Sequence, residues 1–187
     1  TYKNQSLDYV EIHNGDGLPT IVLMHGYGAN MRDLAPLATL SPELKKYNWL
    51  FPDGPLKVPI GPMMYGKAWF PIDMEQLNAV MMSGGFEHLF SDHYPQGMDE
   101  SAELLKNFIE DSVKGDLILG GFSQGSMMTC DLVFNYGVNV KAMALLSSTL
   151  VARQRLEQSL NSNDKDIPIF QSHGTDDMVL PISMARK

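Results

Sequence analysis

The sequence predicts an α/β fold in which a mostly parallel central sheet carries helices on both faces. Two observations support this prediction. Short apolar runs alternate along the chain with longer segments whose apolar residues recur at helical spacing. The run at residues 20–24 contains an uninterrupted Ile-Val-Leu-Met stretch, which is typical of a strand buried on both faces. Such alternation indicates βαβ units, whose crossover helices cover the sheet.

Each predicted element follows from its local pattern. Residues 98–113 have the clearest amphipathic spacing and predict a helix, and the polar turn at 14–17 separates the first two strands. Strands are predicted at residues 8–13, 20–24, 49–51, 116–120, 142–146 and 167–171. Helices are predicted at residues 33–40, 73–82, 98–113, 126–134 and 153–160, with a further helix opening at 182.

One insertion interrupts this alternation. Closely spaced prolines in residues 52–71 predict an irregular surface excursion, since proline removes a backbone donor and resists regular structure. Together with the short helix at 73–82 and the Gly-Gly break that follows, residues 54–97 form a predicted lid-like insertion. The remaining sequence has no linker, so residues 1–187 are expected to form a single domain.

Composition excludes several classes of partner. The net charge of −8 argues against nucleic-acid binding, which needs clustered cations. No apolar run approaches the roughly 18 residues of a membrane helix. The single cysteine, Cys130, cannot form an internal disulfide and no leader opens the chain, so a cytoplasmic location is expected. Nothing in the composition predicts an oligomeric state.

The chemical signal is the G-x-S-x-G motif at residues 121–125, which lies between an apolar strand and a helix. In that context the motif forms a nucleophile elbow, in which a sharp turn presents the serine hydroxyl. The glycines remove side chains where the turn crowds its neighbours. Ser123 is therefore the predicted nucleophile.

A serine hydroxyl is a weak nucleophile and needs a histidine base oriented by an acid. The acid is expected on a loop after a later strand. Residues 173–181 form such a loop directly after the strand at 167–171, and they contain an Asp-Asp pair. Asp177 is the preferred acid and Asp176 is the second choice.

Taken together, these segments resemble the phospholipase/carboxylesterase family of α/β-hydrolases, which includes the acyl-protein thioesterases. The resemblance extends over nearly the whole chain. It rests on residues 23–28, 121–125 and 173–181, and on Trp69-Phe70, which is similar to the family's Trp-Phe-Asp segment. Here Pro71 interrupts that last motif, and Asp73 arrives two positions late.

The resemblance implies an α/β-hydrolase fold and a serine hydrolase that cleaves carboxylic esters or thioesters through an acyl-enzyme. It assigns Ser123 as nucleophile, Asp177 as acid, and the backbone amides of Tyr27 and Gln124 as the oxyanion hole. Trp69 is expected to contact a small-molecule or lipid-like acyl substrate. Two alternatives stay open: a catalytically silent binding domain of the same fold, and a serine peptidase of that fold.

The histidine base has no candidate in the expected place. The family's catalytic histidine lies a few tens of residues after the acid, whereas the sequence ends at Lys187. We therefore expect the base and the C-terminal part of the fold beyond Lys187; the alternative is that the base is absent. His25 and His173 are expected to shape loops at strand ends. His88 and His93 are expected at the surface.

Other motifs divide into a substrate hypothesis and false matches. Met81, Met82 and Phe86 fall in the insertion and are predicted to line an acyl groove, whereas Met127 and Met128 are predicted core residues. Residues 61–67 imitate a phosphate-binding loop but lack the following Ser or Thr, and Gly26-x-Gly28 lacks a third glycine. No cofactor and no metal are predicted.

Overall fold

A computed structural model describes residues 6–73, 75, 79, 94–162 and 166–186. Its centre is a six-stranded sheet. The six strands are β1 Tyr9–Ile12, β2 Thr20–Met24, β3 Asn48–Pro52, β6 Leu117–Phe122, β7 Ala142–Leu146 and β8 Ile169–Ser172. Their spatial order is β1-β3-β2-β6-β7-β8, with β1 antiparallel to β3 and the other neighbours parallel.

Helices connect the parallel strands. The α-helices whose bounds lie in the described residues are α1 Met98–Ser112, α2 Gln124–Phe134, α3 Arg153–Ser162 and α4 Ile182–Ala185. Two short 3-10 helices, Ala35–Thr39 and Pro42–Lys46, lie between β2 and β3. The second is capped by Ser41, whose hydroxyl accepts a hydrogen bond from the Glu43 amide. The predicted α/β architecture is therefore confirmed.

Alternating side chains of the central strands divide the core between the two faces of the sheet. Val22 and Met24 pack in the cluster formed with α1 and α2, whereas Ile21 and Leu23 pack in a smaller cluster with Trp49. This alternation follows from the two-residue period of a strand. Both faces of β2 are consequently apolar, which is why its sequence reads as a continuous apolar run.

The predicted irregular excursion at 52–71 is wrong over much of its length. Strands β4 Leu56–Gly61 and β5 Met64–Ala68 form an antiparallel hairpin there. Both strands of a two-stranded hairpin are edge strands, so a proline need not remove a ladder bond. Pro59 accordingly lies within β4 opposite Tyr65, next to a register shift.

Several other elements also differ from the sequence-based prediction. Strand β6 continues to Phe122, and α2 begins at Gln124, so only Ser123 separates the two. The predicted helix at 33–40 is a 3-10 helix, and the adjacent one at Pro42–Lys46 is absent from the prediction. Most of the predicted helix at 73–82 lies outside the described residues. None of the helices built from described residues is long and apolar enough to span a bilayer.

The β4–β5 hairpin is bonded to the loop that follows β2. The Gly28 amide donates to the Lys67 carbonyl at 2.8 Å, and the Lys67 amide donates to the Ala29 carbonyl at 2.8 Å. A Cβ on Gly66 would lie 1.9 Å from the Gly28 carbonyl oxygen, so only glycine permits this approach. The hairpin thereby fixes the loop after β2 at the carboxyl edge of the parallel sheet.

Candidate active site

Ser123 occupies a strained turn between β6 and α2. Its backbone angles are φ 50° and ψ −114°, a conformation that residues with a Cβ adopt rarely. Strain of this kind persists only where the surrounding structure enforces it. The Ser123 amide donates to the Leu146 carbonyl at 2.8 Å, and the Ser126 hydroxyl donates to the Ser123 carbonyl at 2.5 Å. The backbone on both sides of the serine is therefore held.

The two glycines of the motif permit this turn to pack closely. A Cβ on Gly121 would lie 2.2 Å from the carbonyl carbon of Gly125. A Cβ on Gly125 would lie 2.2 Å from the carbonyl oxygen of Met24 at the end of β2. Neither position can accept a side chain without displacing backbone. The first turn of α2 consequently lies directly against β2, which brings Ser123 close to the loop at 25–29.

Two backbone amides at this contact have no hydrogen-bond acceptor among the described residues. Tyr27 follows β2, and Gln124 is the first residue of α2, where helical amides lack an intrahelical partner. Neither amide donates a hydrogen bond to any group of the described residues. Both residues line the same cavity as Ser123. The arrangement suits a negative charge developing beside the serine, because the N-terminus of α2 also carries partial positive charge.

The cavity at Ser123 has a volume of about 390 Å³, within the usual range for small-molecule sites. Its wall is mostly apolar. The apolar side chains in it are Leu34, Ile72, Phe122, Met127, Val179 and Leu180. None of these residues was predicted to contact a substrate, and Met127 was predicted to lie in the core. Among them only Phe122 has an indication in the local sequence, because it directly precedes Ser123 in the motif.

The loop at residues 173–181, which carries the predicted acid and is called the acid loop below, reaches this cavity through Val179 and Leu180. The amides of these two residues both donate to Oδ1 of Asp177 at 2.9 Å. The Asp177 side chain is 19% exposed, whereas Asp176 is exposed on the loop surface. No group of the described residues donates a hydrogen bond to Oδ2 of Asp177; the nearest ionisable partner is Nε2 of His173 at 3.6 Å. Oδ2 is thus available to accept from an imidazole.

His25 is a structural residue with both ring nitrogens bonded to backbone. The Gly54 amide donates to Nε2 at 2.9 Å, so the ring proton lies on Nδ1, which donates to the Gly26 carbonyl at 2.7 Å. Burial lowers the pKa of His25, and the Asp53 carboxylate opposes this only partly. The neutral imidazole joins the end of β2 to the start of the hairpin, which supports the predicted loop-shaping role.

Among the other histidines, His173 is bonded to backbone, and two lie outside the described residues. Nε2 of His173 donates to the Leu180 carbonyl at 2.6 Å, which ties the two ends of the acid loop together. Its Nδ1 is buried and has no hydrogen-bond partner among the described residues. His88 and His93 lie outside the described residues. No described histidine therefore combines a free ring nitrogen with a place in the wall of the cavity.

The predicted substrate contacts are not in the described wall. Trp69 is fully buried and does not line the cavity, so the geometry does not support contact between its side chain and a substrate. Its indole N–H donates instead to the His25 carbonyl at 2.9 Å. Met81, Met82 and Phe86 lie outside the described residues.

Cys130 and the acidic residues offer no second chemistry. Burial raises the pKa of the Cys130 thiol to about 12, so it stays protonated and is a poor nucleophile. Within the described ranges, no group of three or more His, Cys, Asp or Glu residues could hold a metal ion.

A family model described as Phospholipase/Carboxylesterase matches residues 8–187. Among curated proteins, acyl-protein thioesterase 1 of Cryptococcus neoformans var. neoformans is 26% identical over 168 residues, which cover 86% of this chain and 67% of that protein. The identity to this relative is modest, whereas the family model's match at 8–187 includes both the elbow at 121–125 and the loop at 173–181.

Solved structures share the fold. The crystal structure of esterase PE8 has a TM-score of 0.71 and 25% identity, and covers 97% of this chain and 80% of its own. Acyl-protein thioesterase 2 of Zea mays has a TM-score of 0.68 and 20% identity, and covers 96% of this chain and 80% of its own. At 20% sequence identity, the Zea mays structure supports the shared fold alone.

Replacing Ser123 tests the backbone strain. We expect Ser123→Gly to be about 1 kcal/mol more stable to unfolding than Ser123→Ala, because glycine adopts these backbone angles without the Cβ penalty. Urea denaturation of both variants measures the difference, and Ser123→Ala controls for loss of the hydroxyl. Equal stabilities would show that the turn is not strained.

Replacing His25 tests its buried neutral state. Because the folded-state pKa lies below the unfolded value near 6.5, the unfolded chain binds the proton first as the pH falls. The free energy of unfolding should therefore decrease from about pH 7.5 to about pH 5.5, and His25→Gln should lose that part of the slope. Exposed His13, changed to Gln, is the control. Identical slopes for wild type and His25→Gln would contradict the assignment.

Proposed function

Because the chain belongs to the phospholipase/carboxylesterase family of α/β-hydrolases, and is by that membership a carboxylic ester hydrolase, we propose that Ser123 is its nucleophile. The observation that carries the proposal is the strained serine in an apolar cavity, beside two amides that have no acceptor in the described part of the chain. Strain at a non-glycine residue is typical of a functional site. The substrate is an acyl ester or thioester.

The proposed reaction has two acyl-transfer steps. The Ser123 hydroxyl gives its proton to a histidine and adds to the acyl carbonyl carbon, whose oxygen becomes an oxyanion. The tetrahedral intermediate expels an alcohol or thiol, which takes the proton from the imidazolium. Water then attacks the acyl-enzyme by the same route, releasing the carboxylic acid and restoring the serine.

The oxyanion is stabilised by the Tyr27 and Gln124 amides. Both line the cavity with Ser123, and neither has to break a bond to another described group before it binds the oxyanion. Pre-oriented donors of this kind cost little reorganisation during the reaction. Loss of one such donor typically costs about 2.7 to 4 kcal/mol in the barrier.

Asp177 is the proposed orienting acid. Two amides fix Oδ1, which leaves Oδ2 to accept a proton-bearing imidazole nitrogen and to stabilise the imidazolium. The exposed side chain of Asp176 has no comparable support. This difference in burial and bonding favours the residue that the sequence analysis ranked first.

The general base is proposed to be a histidine encoded after Lys187, as the family resemblance implies. His25 and His173 support this proposal indirectly, because each donates a ring N–H to a backbone carbonyl, and the second nitrogen of His25 is bonded as well. The His25 imidazole cannot exchange a proton with Ser123 without breaking one of its two backbone bonds. Nδ1 of His173 has no partner among the described residues, but His173 does not line the cavity at Ser123.

The cavity wall favours an acyl chain as the recognised group. Six large apolar side chains and Ala29 line the cavity with the nucleophile, and Asp33 is the one acidic residue among the described lining residues. Burial raises the pKa of the Tyr27 phenol, which stays uncharged. An apolar wall stabilises a hydrocarbon chain and gives little to a charged substrate. The curated relatives named acyl-protein thioesterase 1 extend the proposed substrates from oxygen esters to thioesters.

Active-site labelling tests the proposed nucleophile. We expect a fluorophosphonate probe to label the full-length protein and to leave Ser123→Ala unlabelled, because the hydroxyl oxygen is the atom that bonds to phosphorus. In-gel fluorescence measures the labelling. Absence of labelling in the wild-type protein would favour a silent binding domain. Faster turnover of peptide amides than of esters would favour a peptidase.

Paired asparagine variants test the acid. Asp177→Asn should lower kcat by about 10⁴-fold, as expected when an orienting carboxylate is replaced. Asp176→Asn, its neighbour, is the matched control and should keep nearly wild-type activity. Hydrolysis of a p-nitrophenyl ester measures both. The reverse ranking would assign the acid to Asp176.

A further inference from the structure

One residue is bonded to both segments that carry the proposed oxyanion donors. The backbone amide of Trp69 donates to Oε1 of Gln124 at 2.8 Å. The indole N–H of Trp69 donates to the His25 carbonyl at 2.9 Å. Gln124 is itself one donor residue, and His25 lies two residues before Tyr27, the other. These hydrogen bonds join the elbow to the loop after β2 through a single residue, one bond by its backbone amide and the other by its side chain.

We propose that Trp69 is a positioning residue that sets the separation between the Tyr27 and Gln124 amides. The proposal rests on the oxyanion-hole role proposed above for these two amides. It replaces the substrate contact that the sequence predicts for Trp69, since the buried indole lies outside the cavity wall.

Trp69 is held firmly enough to serve as a fixed point. Its side chain is fully buried, and its ring lies against the His25 imidazole with centroids 5.1 Å apart. The Ser101 hydroxyl on α1 donates to the Trp69 carbonyl. Thus the backbone N–H, the backbone carbonyl and the indole N–H of Trp69 are all bonded. A buried group with every polar atom satisfied has one favoured position.

Gln124 completes the connection from the other side. Its carboxamide is buried, with Oε1 accepting from the Trp69 amide and Nε2 donating to the Phe70 carbonyl at 2.7 Å. The side chain thus anchors the residue whose own amide faces the cavity. A glutamine directly after the nucleophile therefore has two separate tasks, one for its backbone and one for its side chain.

The spacing of the two amides matters more for the transition state than for the bound substrate. Donors act on the position that the oxyanion will occupy, and a misplacement of about 1 Å can cost about 10²-fold in rate. Trp69 does not line the cavity, so its loss leaves the substrate-binding wall in place. We therefore expect an effect on kcat with an unchanged KM.

The chain offers a matched control in its second tryptophan. Trp49 is also buried, its indole N–H also donates to a backbone carbonyl, that of Leu44 at 3.1 Å, and its ring also stacks on an aromatic side chain. It lies in the smaller core cluster and does not line the cavity. Trp49→Phe thus removes the same chemical group from a place without a connection to the elbow.

The test compares Trp69→Phe with Trp49→Phe in the full-length protein. We expect Trp69→Phe to lower kcat for a p-nitrophenyl ester by about 10- to 100-fold with KM unchanged. Trp49→Phe should lose comparable stability in urea while kcat stays at the wild-type value. Equal kcat losses in the two variants, or a loss confined to KM, would overturn the proposal.

Hydrogen–deuterium exchange provides a readout that needs no activity. In Trp69→Phe, peptides covering 22–31 and 118–130 should both exchange faster, whereas Trp49→Phe should affect only peptides near its own site. An inactive wild-type protein would defeat the proposed function, yet exchange would still decide whether Trp69 holds the two segments. Unchanged exchange in both peptides would overturn the positioning role.

A second variant covers the case in which Trp69→Phe does not fold. Gln124→Met keeps the length of the side chain and the backbone amide but removes the bonds to Trp69 and Phe70. It should show the same loss of kcat and the same faster exchange in 118–130. Wild-type kcat and exchange in Gln124→Met would overturn the proposal.

Discussion

The close contact between the first turn of α2 and the end of β2 is the constraint on which the rest of the site depends. A Cβ on Gly125 would lie 2.2 Å from the Met24 carbonyl oxygen, so the helix can approach only because that side chain is missing. The contact accompanies the positive-φ conformation of Ser123, and two amides that have no acceptor among the described residues lie at the same cavity. The proposed nucleophile and the proposed oxyanion donors therefore share one packing arrangement.

A buried polar network offsets the strain of this arrangement. Hydrogen bonds made by four buried residues connect the elbow, the loop after β2, the hairpin and α1. These residues are Gln124, Trp69, His25 and Ser101. Each such bond adds only about 1 kcal/mol net, but breaking one leaves a desolvated polar atom that costs about 1 to 3 kcal/mol. An alternative conformation of the loop after β2 would break such bonds. The network therefore disfavours it by more than the network's net contribution to the free energy of unfolding.

The hairpin and the acid loop each hold a different segment of the cavity wall in place. The hairpin holds the loop after β2 through two backbone bonds, and the acid loop is held by the two amides on Asp177 and by His173. In both cases backbone groups fix the geometry, while apolar side chains form the surface that a substrate meets. A substitution in the wall would therefore change the surface without removing the backbone hydrogen bonds that position it.

Local patterns in the sequence determined the strands, the elbow and the choice of Asp177, because strand burial, glycine spacing and loop position are properties of short segments. Tertiary structure alone decided three other features. The hairpin was missed because its prolines occupy edge positions that only pairing reveals. Trp69 was taken for a substrate contact because a motif does not state which side chain is buried. Leu34, Ile72 and Leu180 meet at Ser123 from distant parts of the chain, and such convergence depends on packing. Short-range sequence determines backbone conformation, whereas the neighbours of a side chain depend on how distant segments pack together.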